Sequence, residues 1–532
     1  MEIQNLSDKS ILLSLPNVKI LFECPINLDS FSTLIPRSLN PSPSTINYDI
    51  TYLSSVEISQ IDLILISSCR TLRALPFLHQ KFQGKILMTD PVSRLGQSLC
   101  EELIDFDEEY QRSIAEPSCL YKAESVKEIW RQVISLSYHQ IYKFREISVA
   151  AVSSGHSLGS ANWIIEWGSL SISYISESCM DTSRYPTPFN PVVLNSKVMI
   201  FSPQTKPIQE AYSAKKVYST ILEACRSLPF NCSIIIPIQS WQLLDLESAV
   251  LSAGAVFNIP TICMSPSARA FTSYAAGSVE WLSSNLRQKV YIPQNCFMFE
   301  QAKDKGMFHV LQNLKDGFGA ALKHQNILML ADSSLRIGEA DYIISRFAKK
   351  NNKHCIILVD EDQGEDVLKF HQRHIENFIV RTAYLNIALS VSDIEGLIEK
   401  SVARTVVVPQ SFNGVVNGLK ALVYLQENTK ELFPTLIPKY LPIKTRINLD
   451  AGPVSGFISL KNYDYQGQFT SWPHQFKEKL ELNGFDSSIT TLNSKTIIKL
   501  EDASITFINN KVIINSQSRN LRVALANILR FK

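Results

Sequence analysis

The chain has no long apolar run, no paired cysteines and almost no charge imbalance, and each absence removes a class of protein. No stretch approaches the ~18 uninterrupted apolar residues of a membrane span. Met1-Glu2-Ile3-Gln4-Asn5 lacks the basic head and apolar core of a secretory signal, so the protein is expected to stay inside the cell, off any membrane. The ten cysteines include no Cys-x-x-Cys and none beyond Cys355, which suits reduced, mostly buried thiols and neither a disulfide framework nor a zinc ribbon. A formal net charge of +2 gives no global electrostatic reason to expect nucleic acid as a partner.

What is present is a folding sequence, with 45% hydrophobic and 19% charged residues. At 532 residues it exceeds one ordinary core, so two or three domains are expected. Ile11 to Leu15 and Val18 to Phe22 flank Pro16-Asn17 as a hairpin would. Ile61 to Ile66, Gly84 to Met88, Ile147 to Val152, Trp163 to Trp167 and Ser171 to Ile175 read as strands, and Glu124 to Tyr138 reads as a helix. Strands with helices on their outer faces imply a layered α/β sandwich.

From about Lys206 the rhythm becomes regular. Helices are expected at Ala211 to Leu228, Leu243 to Ala253, Ala270 to Leu286 and Glu339 to Lys349. Strands alternate with them at Ser233 to Ile238, Thr261 to Met264, Ile327 to Leu330 and Cys355 to Val359, the spacing of parallel pairs with crossover helices. Beyond Thr405 to Val408 and the proline-rich passage Pro434 to Pro442, the tail reads as a small α+β domain. Its elements are a helix from Ser471 to Asn483, strands Thr496 to Leu500, Ser504 to Ile508 and Val512 to Ile514, a turn at Asn509-Asn510, and a last helix from about Ser518. In that helix Leu521, Leu525, Ile528 and Leu529 form one apolar stripe. Part of the stripe is expected to close the domain's own sheet, leaving the rest, or the exposed strand edge, to pair with a second chain.

Several passages then fall into one register. Leu21-Phe22-Glu23-Cys24, Ser154-Gly155-His156-Ser157-Leu158-Gly159 and Tyr174-Ile175-Ser176-Glu177 resemble strand-end motifs of the metallo-β-lactamase/β-CASP nucleases that process RNA ends. At the position of their main zinc loop, normally His-x-His-x-Asp-His, this chain has Ser67-Ser68-Cys69-Arg70-Thr71-Leu72-Arg73, two residues shorter than in active relatives. Two divalent ions need several imidazole and carboxylate donors from one turn, and this turn has none. Four further passages resemble the catalytically inactive, Integrator branch of that family. They are Ile64-Leu65-Ile66-Ser67 through Ala74-Leu75-Pro76, Ser160 to Ile165, Lys289 to Pro293, and Ser334 to Gly338.

The resemblance implies an α/β fold: a metallo-β-lactamase αββα sandwich with an inserted β-CASP α/β domain and a small C-terminal α+β domain. The implied boundaries are 1–205 for the first part of the sandwich, 206–378 for the inserted domain, 379–445 for the returning part and 450–532 for a heterodimerisation domain. It also implies that Glu23, Ser68, His156, Glu177, Ser202 and Val408 are degenerate metal positions, so that no catalytic residue, metal or cofactor is expected. The implied role is a nuclear scaffold that pairs, through Leu521, Leu525, Ile528, Leu529, Val512 and Ile514, with the catalytic paralogue of the complex, its subunit 11. Other subunits such as subunit 4 would adjoin it, with room for RNA contact within the assembly. Two alternatives stand beside it: the inactive subunit of the cleavage-and-polyadenylation complex, and a metal-dependent RNA hydrolase with a rebuilt site.

Plainer readings apply to single residues. His156 reads first as a structural histidine in a glycine-bounded turn, and Glu23 and Glu177 as carboxylates bonded to backbone N–H groups at strand ends. His371-x-x-His374 lacks a third donor, and Gly317-Phe318-Gly319 lacks both a preceding strand and a third glycine. Lys349, Lys350, Lys353 and His354 read as a small basic cluster at a helix end.

Overall fold

A computed structural model describes the chain except residues 7–8, 27–49, 115–119, 209–212, 230–231, 292–293, 317–324, 332, 334, 336–339, 350–352, 361–371, 414–421, 426–429, 433–455, 460–487, 493–494, 501–502, 509–510 and 517–532. It divides into two compact units, Met1–Leu441 and Pro442–Lys532.

The hairpin around Pro16-Asn17 begins the first sheet. Strands β1 (Glu2–Leu6), β2 (Ser10–Leu15) and β3 (Val18–Phe22) form an antiparallel meander, with Leu15 opposite Val18 across the turn. Three parallel neighbours follow, β4 (Leu63–Leu65), β5 (Lys85–Thr89) and β6 (Val133–Leu136). The second sheet contains β7 (Ile141–Phe144), β8 (Ile147–Ser153), β9 (Ala161–Trp167), β10 (Leu170–Ile175) and β11 (Val198–Phe201). Late chain completes both sheets. β18 (Thr405–Pro409) and β19 (Leu422–Leu425) extend the second beside β11, and β20 (Lys430–Leu432) pairs with β1.

Alternation along each strand assigns its side chains to two cores. Leu63 and Leu65 face the second sheet together with Phe22, Trp163, Ile165 and Tyr174, and Tyr174 stacks on Phe22 at 4.1 Å between ring centroids. Ile64 and Ile66 point the other way, against Leu95, Leu99 and Leu103 of helix α1 (Asp90–Ile114). A strand buried on both faces reads as a continuous apolar run, as Leu63 to Ile66 does.

The helix expected over Glu124 to Tyr138 is corrected: α2 (Ala123–Trp130) stops early, and Val133–Leu136 is strand β6. Val133 continues the helical spacing of Val126 and Ile129, but pairing with Ile86 overrides that local preference.

Between the two sandwich passages, β12 (Ile234–Pro237), β13 (Thr261–Met264), β14 (Phe308–Leu311), β15 (Ile327–Leu330), β16 (His354–Leu358) and β17 (Phe378–Thr382) form a wholly parallel sheet in the order β14-β13-β15-β12-β16-β17. Helices α3 (Ala214–Ser227) and α4 (Leu243–Phe257) alternate with these strands as expected. The helix expected over Ala270 to Leu286 breaks into α5 (Ala268–Gly277), a 3-10 turn at Val279–Trp281 and α6 (Ser284–Tyr291). The break lets Leu282 bridge to Pro186 and Ser283 donate its N–H to the Tyr185 carbonyl. His354 does not belong to a surface basic cluster. It is buried against the Phe347 ring at 4.3 Å, and its Nδ1 accepts the Ser233 N–H at 2.9 Å.

The second unit is a five-stranded antiparallel sheet in the order β21-β25-β24-β23-β22, from β21 (Gly456–Ser459), β22 (Ser488–Leu492), β23 (Lys495–Lys499), β24 (Ala503–Ile508) and β25 (Lys511–Ser516). Ile508 lies opposite Lys511, on either side of Asn509-Asn510. Val512 and Ile514 sit in β25, which has strand neighbours on both sides, so its backbone is not available for strand addition. Among the described strands, the edges of this sheet are β21 and β22. The expected helices at Ser471 to Asn483 and from Ser518, with Leu521, Leu525, Ile528 and Leu529, lie outside the described residues, as do Asn509-Asn510, Gly317-Phe318-Gly319, Ser334, Lys350 and His371.

Candidate functional site

The positions read as degenerate metal ligands lie at strand ends and in one loop, and Val408 turns away from the others into an apolar cluster. Glu23 follows β3 with φ +66°, a left-handed backbone that non-glycine residues seldom adopt. Its carboxylate is buried, accepting the Ser67 N–H at 3.2 Å and the Thr71 hydroxyl, while Oε1 has no partner. Burial pushes the carboxyl up to about 7. The donors Ser67 and Thr71 offset only part of that, and nearby Glu177 adds to it.

The loop between Ser67 and Ala74 is fastened from several sides. Ser67 accepts the Ala161 N–H on its carbonyl at 2.8 Å and the Trp163 Nε1–H on its hydroxyl at 3.1 Å, while the Cys24 N–H donates to the Thr71 carbonyl at 2.7 Å. The Ser68 hydroxyl is buried without a partner, and the buried Cys69 thiol is pushed up to about 12, mainly by desolvation. Arg70 reaches out of this loop and bonds Glu177, with Nη1 2.9 Å from Oε1; the two side chains are 43% and 12% exposed. Glu177 is carried on a turn organised by Asn162, whose Oδ1 accepts the Ser176 N–H at 2.8 Å and the Ser178 hydroxyl at 3.2 Å.

His156 lies in the turn between β8 and β9. Gly155 and Gly159 there adopt φ of +70° and +74°, and a Cβ on Gly155 would stand 2.4 Å from the Cys179 carbonyl oxygen. The imidazole is buried 5.0 Å from the Trp241 ring, and its Nδ1 has no partner. Desolvation, then the charges of Arg184 and Arg70, lower its proton affinity well below the usual value, so it is neutral. Ser202 is buried after β11 and gives its N–H to the Ile175 carbonyl at 2.8 Å. Val408 offers no donor; it packs in an apolar cluster with Met199, Phe201 and Phe412.

Two buried groups that sequence reasoning missed surround this centre. Arg184 is wholly buried. Its Nε and Nη2 bond Asp245 Oδ1 at 2.9 and 2.6 Å, its Nη1 the Gly155 carbonyl at 2.7 Å, and its Nη2 the His156 carbonyl at 2.6 Å. Burial raises the Asp245 carboxyl to about 6, with Arg184 acting against that shift. Glu102, on α1, accepts hydroxyls from Ser240 at 2.8 Å, Ser265 at 2.6 Å and Ser267 at 3.1 Å, and Arg73 lies 3.9 Å away. Nothing local in the sequence marks Arg184 or Glu102, because their partners come from segments far along the chain.

The metal that the zinc loop would hold in an active relative does not fit these residues. Among the described residues no group of three or more His, Cys, Asp or Glu is placed to hold a metal ion. Glu177 already carries a guanidinium, one Glu23 oxygen is taken by the loop, and two arginines bear on the lone imidazole.

A model of the metallo-beta-lactamase superfamily domain matches residues 25–178, which takes in the loop, His156 and Glu177. Over these residues the chain is similar to the metallo-beta-lactamase superfamily domain, and over a longer span to proteins named Integrator complex subunit 9. The Integrator complex subunit 9 homolog of Dictyostelium discoideum is 26% identical over 429 residues, 70% of this chain and 59% of that protein. The homolog of Nematostella vectensis is 26% identical over 393 residues, 67% of this chain and 58% of that protein. Endoribonuclease YSH1 of Candida glabrata is 24% identical over 191 residues, 34% of this chain and 25% of that protein. The chain thus spans less than two thirds of the length of each of these relatives. No helix among the described residues is long and apolar enough to cross a membrane.

Proposed function

We propose that this chain is a non-catalytic structural subunit of an Integrator-type RNA-processing complex. The observation that carries the reading is the Arg70–Glu177 pair, a guanidinium bonded to an acid at a position where an active relative needs metal-binding donors. Similarity to proteins named Integrator complex subunit 9 supplies the complex.

On this reading the chain is nuclear and works by presenting surface. It pairs with the catalytic paralogue, subunit 11, in the 3′-end processing of small nuclear RNA and the cleavage of nascent transcripts, and it adjoins other subunits such as subunit 4. Residues 206–378 serve as the β-CASP-like insertion, 1–205 and 379–445 as the sandwich, and 450–532 as the pairing domain, with Leu521, Leu525, Ile528, Leu529, Val512 and Ile514 as its contact residues. Because β25 is an inner strand, Val512 and Ile514 would meet the partner through a sheet face, and strand addition would fall to β21 or β22.

Affinity purification of the tagged chain from its own cells, with identification of the nuclease that accompanies it, tests the proposal. An Integrator nuclease is the expected companion; a cleavage-and-polyadenylation nuclease would assign the chain to that complex instead. A second reading, a hydrolase with a rebuilt site, draws on the retained His156 and on the similarity to a protein named an endoribonuclease. Stoichiometric zinc in the purified chain, with RNA cleavage abolished by His156→Ala, would establish it.

A further inference from the structure

Glu23 is held by Ser67 and Thr71, and three further acids around the centre each meet a guanidinium. Glu177 pairs with Arg70, Asp245 with Arg184, and Glu102 with Arg73. Two of these acids also join parts of the first unit that are far apart in sequence. Asp245 belongs to α4 beside the parallel sheet, and its partner Arg184 holds the carbonyls of Gly155 and His156 in the sandwich turn. Glu102 belongs to α1 on the sandwich, and its hydroxyl donors stand beyond the carboxyl ends of β12 and β13. The carboxyl ends of parallel strands are the usual ligand-binding face of such a sheet. Here that face is occupied by side chains of the same molecule. Tyr274 adds a third link, donating its hydroxyl to Asp90 at 2.6 Å.

We propose that the former metal centre has become an internal clamp, in which Arg184 and Glu102 bolt the inserted parallel sheet onto the sandwich and Arg70 neutralises the acid left beside them. The inference rests on the non-catalytic reading and adds to it. The cleft between the two layers is held shut by the protein's own charges, so an RNA partner would lie on the outer surface and not in the cleft. A guanidinium suits this task better than an ammonium, because its planar fork serves a carboxylate and two carbonyls at once.

Hydrogen–deuterium exchange on the full chain tests the clamp. Arg184→Met is expected to speed exchange by about tenfold or more in two segments at once, the turn 154–158 and the α4 segment 243–249, with strands β22 and β23 of the second unit unchanged. Wild-type exchange in both segments should ignore a chelator. Ser265→Ala, a milder variant that leaves Glu102 two hydroxyl donors, should loosen residues 99–106 together with 265–271 and covers the case in which Arg184→Met does not fold. Loosening confined to the mutated segment, or wild-type rates in both, would overturn the clamp and leave the non-catalytic reading standing. Chelator-induced loosening of the same segments, with zinc lost at the same time, would overturn both.

Discussion

Arg184 Nη2 and Asp245 Oδ1 stand 2.6 Å apart with neither side chain exposed to solvent, one on the segment between β10 and β11 and the other on α4. Removing one member of such a pair leaves an uncompensated buried charge. Arg184→Met should therefore lower unfolding free energy by about 3–5 kcal/mol, measured by urea denaturation. Asp245→Asn strands the guanidinium instead, which cannot lose its proton, and should cost at least as much although the amide keeps an acceptor. A near-neutral Asp245→Asn would mean that charge is not what the pair contributes.

Glu23 gives the fold a pH dependence. Its folded carboxyl is raised from 4.5 to about 7, so between those values the folded state holds a proton that the unfolded state releases. Stability from this group is therefore full at low pH and falls as pH rises towards 7 and beyond. Asp245 and Glu247, raised to about 6 and about 7, act in the same direction. Urea midpoints between pH 5 and pH 8 should show a shallower decline for Glu23→Gln than for wild type, because the amide retains an acceptor for Thr71 and Ser67 and carries no titrating charge. An unchanged slope would show that Glu23 does not titrate in this range.

Gly155 is required by both its φ and its surroundings. In Gly155→Ala the new Cβ meets the Cys179 carbonyl oxygen at 2.4 Å and the Phe189 amide nitrogen at 2.9 Å. The variant should lose about 1–3 kcal/mol, read as a lower thermal midpoint. Gly396 lies in helix Val391–Lys400 with open space within 4 Å of where a Cβ would stand, and Gly396→Ala should raise the midpoint slightly.

Partner pairing should be separable from the fold of the first unit. Leu525→Asp, or truncation near residue 450, is expected to abolish recovery of the companion nuclease while circular dichroism and the melting of Met1–Leu441 stay close to wild type. Normal recovery from Leu525→Asp would move the contact elsewhere in the tail.

The strands are the most legible part of the chain. Thr261–Met264 and Ile327–Leu330 fall where the apolar runs place them, because a strand covered on both faces must be apolar throughout. Helix α1 is not among the expected elements, although Pro91 stands in its first turn and Val92, Leu95, Leu99 and Leu103 fall at helical spacing. Val133 is misleading because its position satisfies a helix and a strand equally, and only the neighbouring Ile86 decides between them. At the candidate site, the missing donors between Ser67 and Thr71 can be read directly. What replaces them cannot, since Arg184 acquires its meaning only when Gly155 and Asp245 are brought to it by the fold.

The pairing of Val198 with Thr405 imposes an order of events on synthesis. Strand β11 leaves the ribosome with its outer edge bare and must wait for the whole parallel sheet to be made before its neighbour arrives. Strand β1, beside Lys430–Leu432, waits longer still. Contacts this distant in sequence slow folding and leave sticky strand edges exposed meanwhile. The nascent chain is therefore a natural client for chaperones, and a substitution that delays the insertion's folding would reduce yield without touching the stability of the finished protein.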